Sequence, residues 1–166
     1  MKNIIFINGT MAVGKSSTAR RLNSLLDASV YLDGDWCWMA DPFVVNEETK
    51  TMVTDNICHM LNNFIKCSRY KNIIFCWVMD FESIYDSIVS KLDCENCNIY
   101  RFTITCSSRA LKQRVENDLS QPGRNYEKSL ERLARFDSMN TVKIYNDDMT
   151  ARQTARHIKS LISQNT

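Results

Sequence analysis

A run of eight residues near the start of the chain carries the strongest chemical signal in the sequence. It matches the pattern G-x-x-x-x-G-K-S/T in full and reads Gly9-Thr10-Met11-Ala12-Val13-Gly14-Lys15-Ser16. An apolar stretch precedes it and a helical pattern follows it, which is the context that the motif requires. Glycines let such a loop curl so that successive backbone N–H groups face a phosphate, and the helix N-terminus adds its positive end. Together with Ser17, these residues are predicted to bind phosphate groups. A purely structural glycine turn is the alternative.

Two side chains of this phosphate loop, residues 9–17, have their own predicted roles. Lys15 reaches the outer phosphates and so acts in catalysis as well as in binding. Ser16 ligates magnesium through its hydroxyl, because Mg²⁺ prefers oxygen ligands and is commonly held partly by phosphates.

Two carboxylates follow the second apolar stretch, in Tyr31-Leu32-Asp33-Gly34-Asp35-Trp36. Ligands of open parallel sheets bind at the carboxyl ends of the strands, so both acids are expected near the bound phosphates. One is suited to holding magnesium or its waters, and the other to orienting and deprotonating an acceptor hydroxyl. Asp and Gly also favour turns wherever they fall, so a plain turn remains the alternative.

The elements that must position these residues alternate between short β-branched or aromatic runs and longer helical patterns. Strands are predicted at residues 3–8, 29–33, 72–79, 98–105 and 141–145. Helices are predicted at residues 15–26, 83–92, 108–119, 126–136 and 151–162, and an amphipathic helix with an apolar stripe over residues 45–65 follows a cap at Asn46. Such alternation is typical of an α/β fold of three layers, with a five-stranded parallel sheet and helices on both faces. We expect residues 1–166 to form a single domain.

Composition narrows the function classes. The chain has 166 residues, 44% of them hydrophobic, and a formal charge of only +2 from 21 basic and 19 acidic residues. It has no broad cationic surface of the kind that holds nucleic acid, so we expect no nucleic-acid partner. The longest apolar run, residues 73–79, is far too short to cross a bilayer. The odd number of cysteines, seven, and the absence of an apolar leader favour a reducing, cytoplasmic location.

The phosphate loop and the Asp-Gly-Asp segment together resemble the P-loop kinases of small molecules and nucleotides, including shikimate kinase, adenylylsulfate kinase and chloramphenicol phosphotransferase-like proteins. The resemblance continues through an Arg-bearing helix and a Pro-Gly-Arg stretch after the fourth strand. It implies a P-loop NTPase fold with the sheet order 2-3-1-4-5, the use of ATP and Mg²⁺, and a short lid at about residues 119–126.

Residue roles follow from the same resemblance. Asp35 looks like the residue that contacts the acceptor and serves as base, and Asp33 looks like one that holds magnesium through water. Arg114 looks like the arginine beside the nucleotide base and phosphates. Arg124 looks like a lid arginine that closes on the transferring phosphoryl group, where its fork of donors spreads charge better than a lysine. The other arginines of this region, Arg109, Arg132 and Arg135, are expected on solvated helix faces.

Three further positions stay open between a site role and a structural one. Asp80 follows the third apolar run, where P-loop proteins often place a second acid that positions magnesium or substrate. It is equally suited to capping the next helix. Trp36 and Trp38 either pack in the core, the default for aromatic side chains, or line an acceptor pocket, for which Trp36 is our first candidate.

These features predict transfer of the γ-phosphoryl group of ATP to a hydroxyl of a small acceptor. Residues 34–68 hold no arginine, and only Lys50 and Lys66 against five acidic residues, which favours a neutral or cationic acceptor. A GTPase is disfavoured because the guanine-reading Asn-Lys-x-Asp is missing, and an AAA-type motor because it needs a longer chain with a helical lid domain. The remaining alternative is a nucleotide-binding switch or regulatory ATPase, which has no use for an acceptor base. The oligomeric state is not indicated by the sequence.

Overall fold

The sheet at the centre of the protein is parallel, and its order is β2-β3-β1-β4-β5. A computed structural model describes residues 1–118 and 125–164, and the five strands within these ranges are β1 (Lys2–Asn8), β2 (Ser29–Asp33), β3 (Asn72–Cys76), β4 (Cys97–Thr105) and β5 (Val142–Tyr145). Strand β1 is central, with Ile5 opposite Ile74 of β3 and Tyr100 of β4. The predicted fold class and strand order are confirmed.

Helices cover both faces of this sheet. In the described ranges they are α1 (Lys15–Leu25), α2 (Glu47–Lys66), α3 (Glu82–Val89), α4 (Ser108–Asn117), α5 (Tyr126–Arg135) and α6 (Ala151–Gln164). The alternation of side chains along β1 separates two cores. Ile4 and Phe6 pack with residues of α2 and α3, while Ile5 and Ile7 pack with residues of α1 and α6. Both faces of β1 are therefore buried, and its carboxyl end is held rigidly where the phosphate loop begins.

Helix α2 begins where the sequence predicts, and its apolar stripe is narrower than predicted. Asn46 accepts a hydrogen bond from the Thr49 backbone N–H at 2.8 Å, and the Thr49 hydroxyl accepts one from the Asn46 N–H at 3.0 Å. This reciprocal pair is a capping box. Val53, Ile57 and Leu61 are buried, whereas the outlying stripe members Val45, Met52, Asn56 and Met60 are exposed.

Strand β3 ends at Cys76, not at residue 79 as the apolar run predicts. The backbone beyond Cys76 leaves the ladder because the side chain of Asn8 binds it. The Asn8 amide donates to the Met79 carbonyl at 2.7 Å and accepts from the Met79 N–H at 2.9 Å. Helices α3 and α4 also end earlier than predicted, at Val89 and Asn117. Within the described ranges, we find no helix with the length and apolar character needed to span a bilayer.

Candidate active site

The phosphate loop has the backbone geometry that its glycines predict. Gly9 has a φ of 142°, and a Cβ built there would lie 2.5 Å from the Ile104 carbonyl oxygen, so only glycine fits against the neighbouring strand. Ala12 and Gly14 also have positive φ values, of 63° and 100°. The loop therefore curls tightly between the end of β1 and the first turn of α1, as a phosphate cradle requires.

Side chains behind the loop hold this shape. The Asn8 side-chain oxygen accepts from the Gly9 N–H at 2.9 Å, and the Thr10 hydroxyl donates to the Ser129 carbonyl of α5 at 2.7 Å. The side chains of Thr10 and Val13 are fully buried. Both were predicted to bind phosphate, and neither residue lines the cavity in front of the loop.

Arg114 also lies behind the loop. Its guanidinium donates to the Asn146 side-chain oxygen at 2.8 Å, to the Asn146 carbonyl at 2.8 Å and to the Val13 carbonyl at 3.2 Å. The Asn146 amide donates to the same Val13 carbonyl at 2.9 Å. Arg114 was predicted to lie beside the nucleotide. Its planar guanidinium instead donates to these three carbonyl oxygens. Arg114 therefore stabilises the loop from behind and does not line the cavity in front of it.

Asp33 lies at the end of β2 in a buried polar cluster. Its carboxylate accepts hydrogen bonds from the Tyr31 hydroxyl at 2.7 Å and from the Asp35 N–H at 3.2 Å. The Cys76 Sγ lies 3.5 Å from Asp33 Oδ2 and 3.8 Å from Ser16 Oγ. The predicted magnesium ligands Ser16 and Asp33 are thus both neighbours of a single thiol.

Burial keeps this thiol protonated. It raises the pKa of Cys76 to about 12, and the Asp33 carboxylate adds to the increase. Burial likewise raises the pKa of Tyr31, with Cys76 and Asp33 contributing. Both groups therefore remain neutral donors toward the Asp33 carboxylate near neutral pH, and they orient it without neutralising its charge.

Asp35 lies two residues further along the chain and is exposed at the surface. Its carboxylate accepts a hydrogen bond from the indole N–H of Trp77 at 3.1 Å. The Trp77 ring approaches so closely because residue 34 is glycine, since a Cβ there would lie 2.4 Å from Trp77 Cγ. Gly34 therefore allows the ring to hold the Asp35 side chain in place.

This contact predicts the effect of Gly34→Ala. The added methyl group clashes with the Trp77 ring, and overpacking of this kind lowers the free energy of unfolding by about 1–3 kcal/mol. Chemical denaturation measures the change. Adding the same substitution to a Trp77→Ala background removes the clash, so there we expect it to cost much less. An equal loss in both backgrounds would show that the ring is not the cause.

The phosphate loop and the acids open onto one cavity of about 1010 Å³. Its walls include Lys15, Ser16, Asp35 and Asp80, so the structure brings these predicted residues together. Ser17, Met11, Ala12 and Gly14 line it as well. Asp33 is buried behind this wall, at 5% exposure. Arg124, the predicted lid arginine, lies outside the described residues.

The aromatic residues after the acids are arranged differently from the first expectation. Trp36, predicted to contact substrate, is 48% exposed, and its ring lies against that of Tyr31 at 5.2 Å between centroids. It does not line the cavity, whereas Trp38 does. The two residues fall in a tight 3₁₀ turn, Gly34–Trp38, where residues two apart leave the backbone in different directions.

Asp80 does not cap α3, because the N-cap residue is Phe81. Its carboxylate accepts a hydrogen bond from Arg135 at 2.7 Å, and the Arg132 guanidinium lies 3.6 Å away. These two arginines were predicted on a solvated helix face. A nearly buried carboxylate requires a charged partner, and α5 supplies both guanidinium groups. Arg132 also lines the cavity.

Sequence reasoning missed Trp77 and Arg132 as site residues. Trp77 lies inside the apolar run that predicts β3. Had the predicted strand ended before Trp77, this residue would have been expected at the carboxyl end of the strand, near the site. Arg132 gave no local signal, because its partner comes from a distant part of the chain.

Comparison with known proteins agrees with this geometry. A family model described as an AAA domain matches residues 5–135. The expectation that the chain is not an AAA-type motor is not tested by this match and stays a prediction. No curated protein matches the chain at a significant level.

Several solved structures, kinases among them, are similar over nearly their whole length. The tunicamycin resistance protein of Deinococcus radiodurans has a TM-score of 0.75 at 19% identity, over 98% of this chain and 96% of that one. Shikimate kinase from Acinetobacter baumannii has 0.68 at 18% identity, over 100% and 96%. A gluconokinase from Sinorhizobium meliloti 1021 has 0.66 at 15% identity, over 99% and 98%. The chain therefore belongs to the AAA-domain family of P-loop proteins, and it has the fold of P-loop small-molecule kinases.

Proposed function

We propose that the protein transfers the γ-phosphoryl group of ATP to a hydroxyl of a small neutral or cationic acceptor. The observation that carries this proposal is the shared cavity, because the phosphate loop and the exposed carboxylate of Asp35 face the same space. The similarity of the fold to a gluconokinase and to shikimate kinases supports the reaction class.

The phosphate loop holds the triphosphate in this proposal. Its curled backbone presents N–H groups, and α1 begins at Lys15, so the positive end of the helix points toward the bound phosphates. The Lys15 ammonium donates to the Thr10 carbonyl at 2.9 Å, which keeps it folded over the loop. From there Lys15 offsets charge on the outer phosphates as the γ-phosphoryl group leaves.

Ser16 and Asp33 fit a magnesium ion. Both present hard oxygen ligands, and the Cys76 Sγ neighbours both, at 3.8 Å and 3.5 Å. The described hydrogen-bond donors to the Asp33 carboxylate are the Tyr31 hydroxyl, the Cys76 thiol and the Asp35 backbone, all neutral, so the charge of Asp33 is not offset by them. Bound there with ATP, Mg²⁺ would offset phosphate charge. Asp80 is a less suitable magnesium ligand, because Arg135 and Arg132 already offset the charge of its carboxylate.

Asp35 acts as the base toward the acceptor. The indole of Trp77 binds one carboxylate oxygen, so the other is available to accept a proton from a hydroxyl. Deprotonation makes that oxygen nucleophilic toward the γ-phosphorus. Asp35 thereby contributes to orientation as well as to proton removal.

A nucleotide-binding switch or regulatory ATPase is the alternative function. It requires the phosphate loop and not the acceptor base. The exposed, oriented carboxylate of Asp35 beside the loop favours the transferase. We also propose that the protein works as a single domain in the cytoplasm, where its partners are ATP and the acceptor.

A screen of hydroxyl compounds tests the transferase directly. The protein is incubated with ATP, magnesium and pools of neutral, cationic and anionic compounds, and products are found by their gain in mass. We expect ATP consumption that rises when a neutral or cationic compound is present, with formation of its phosphate ester. ATP consumption that no compound changes would favour the regulatory ATPase.

Arg124 gives a prediction for the proposed lid, although it lies outside the described residues. The change Arg124→Ala lowers the rate of transfer more than the affinity for ATP, because a closing lid would contact the phosphoryl group chiefly in the reacting state. Arg109→Ala is the matched control, since Arg109 lies on the exposed side of α4.

Amide hydrogen exchange over residues 119–126 measures the lid motion itself. We expect protection to rise when ATP and magnesium are added. Strong and identical protection in both conditions would remove the lid role of Arg124.

A further inference from the structure

One wall of the cavity is made of aromatic and aliphatic side chains. It is formed by the turn after β2 and the segment that leads from it to α2, by α2, by the segment after β3 and by α3. We call it the apolar wall, and its members are Trp38, Phe43, Val45, Val53, Trp77 and Ile84.

The rings of this wall are available to a ligand. Phe43 is 62% exposed although its ring lies only 5.1 Å from that of Trp38, so each presents a face or an edge to the cavity. Val45 is 55% exposed. Apolar groups exposed together at a concave surface are typical of a binding site, because a ligand that covers them removes that area from water.

Trp77 connects the apolar wall to the reacting centre. It is part of the wall, and its N–H binds the Asp35 carboxylate at 3.1 Å. A ligand ring packed on Trp77 would therefore carry its neighbouring hydroxyl to Asp35. The spacing favours a hydroxyl attached close to the ring.

Two basic residues near the wall already have carboxylate partners. Lys50 is paired with Glu47 at 2.8 Å, and Arg132 lies 3.6 Å from Asp80. An anionic ligand would have to compete with these carboxylates and would also meet the charge of Asp35. The remaining basic residues of the cavity, Lys15 and Arg20, belong to α1 beside the phosphate loop.

From this arrangement we propose that the acceptor is an uncharged or cationic hydroxyl compound with a flat apolar ring next to the reacting hydroxyl. The ring packs on Trp38, Phe43 and Trp77. Asp35 takes the hydroxyl proton as the oxygen bonds to the γ-phosphorus, and the bond from phosphorus to the bridging oxygen breaks, with its electron pair leaving on ADP. The proposal rests on the transferase function and specifies its substrate class.

Matched pairs of compounds test this substrate class by binding. Each pair shares its hydroxyls and differs in one aromatic group, for example phenyl and methyl β-D-glucoside, 1-phenyl-1,2-ethanediol and 1,2-propanediol, or adenosine and methyl β-D-ribofuranoside. Dissociation constants are measured by saturation-transfer NMR with magnesium and a non-hydrolysable ATP analogue present. We expect the ring to strengthen binding by about tenfold or more in at least one pair, because it buries apolar area. Equal binding within every pair, or tighter binding of carboxylate analogues, would overturn the proposal.

Two variants locate the ring. Trp38→Ala and Phe43→Ala each weaken binding of the ring-bearing compound, and Phe43 is exposed enough that its loss should leave the fold intact. Trp36→Ala is the matched control, since Trp36 belongs to the same turn and lies outside the cavity. Loss of binding in Trp36→Ala alone would contradict the placement of the ring.

Turnover separates this proposal from the transferase function. If ring-bearing compounds bind at the apolar wall and none gains phosphate, the proposed transferase function is wrong and the proposed binding site for a ring is supported. If phosphate goes to ring-free polyols at equal or higher rates, the transferase stands and the substrate class is wrong.

Discussion

Replacing Asp35 by asparagine is expected to lower the rate of phosphate transfer by about 10²- to 10⁴-fold. Asparagine keeps the shape of the side chain, and its amide oxygen can still accept the hydrogen bond from Trp77. It cannot take a proton from the acceptor hydroxyl near neutral pH. The affinity for ATP should stay unchanged, because that affinity depends on the phosphate loop.

Single-turnover kinetics with saturating acceptor measure this loss, and calorimetry measures ATP binding. Asp41→Asn is the matched control, since Asp41 is an exposed carboxylate on the same segment and is not part of the cavity. An unaffected rate in Asp35→Asn would make Asp35 a turn residue. Equal losses in both variants would point to a general effect of charge on this segment.

Replacing Lys15 by alanine is expected to weaken binding of ATP and magnesium by about 10²-fold. Hydrogen bonds to charged groups contribute about 1.5–3 kcal/mol, and each 1.4 kcal/mol is about tenfold in affinity. The fold should remain intact, because Asn8 and Asn146 still hold the loop through Gly9 and Val13. Transfer should fall further than binding, since Lys15 also acts on the leaving phosphate.

Calorimetry with ATP and magnesium tests this expectation, and circular dichroism checks the fold. Lys112→Ala serves as the control, because it removes the same charge from an exposed position on α4 that is outside the cavity. Equal ATP affinity in Lys15→Ala and the native protein would contradict the assignment of the loop.

The parts of the fold that could be predicted are those encoded locally. The phosphate loop has a complete sequence pattern, and its glycines are required by positive φ values and by the approach of Ile104. The Asn46 cap is likewise a local signal, confirmed by its capping box with Thr49. The order of the sheet followed from the resemblance to P-loop kinases.

The parts that could not be predicted depend on contacts between distant residues. The apolar run through residue 79 gives no sign that the Asn8 side chain binds Met79 and ends β3 early. The hydrogen bond from Arg135 to Asp80 connects the segment after β3 with α5, which lies more than 40 residues later in the chain. Trp36 and Trp38 have the same residue type, and only the turn that contains them decides which one faces the cavity.

The destination of the γ-phosphoryl group is the most direct test of the proposed reaction. ATP labelled at its γ-phosphate is incubated with the native protein, magnesium and the compounds identified by the screen, and the label is followed over time. We predict that the label appears in the phosphate ester of the acceptor, at a rate that depends on acceptor concentration, and that Asp35→Asn lowers this rate by about 10²- to 10⁴-fold. Label released only as inorganic phosphate, at a rate that no acceptor changes, would contradict the transferase and identify a regulatory ATPase.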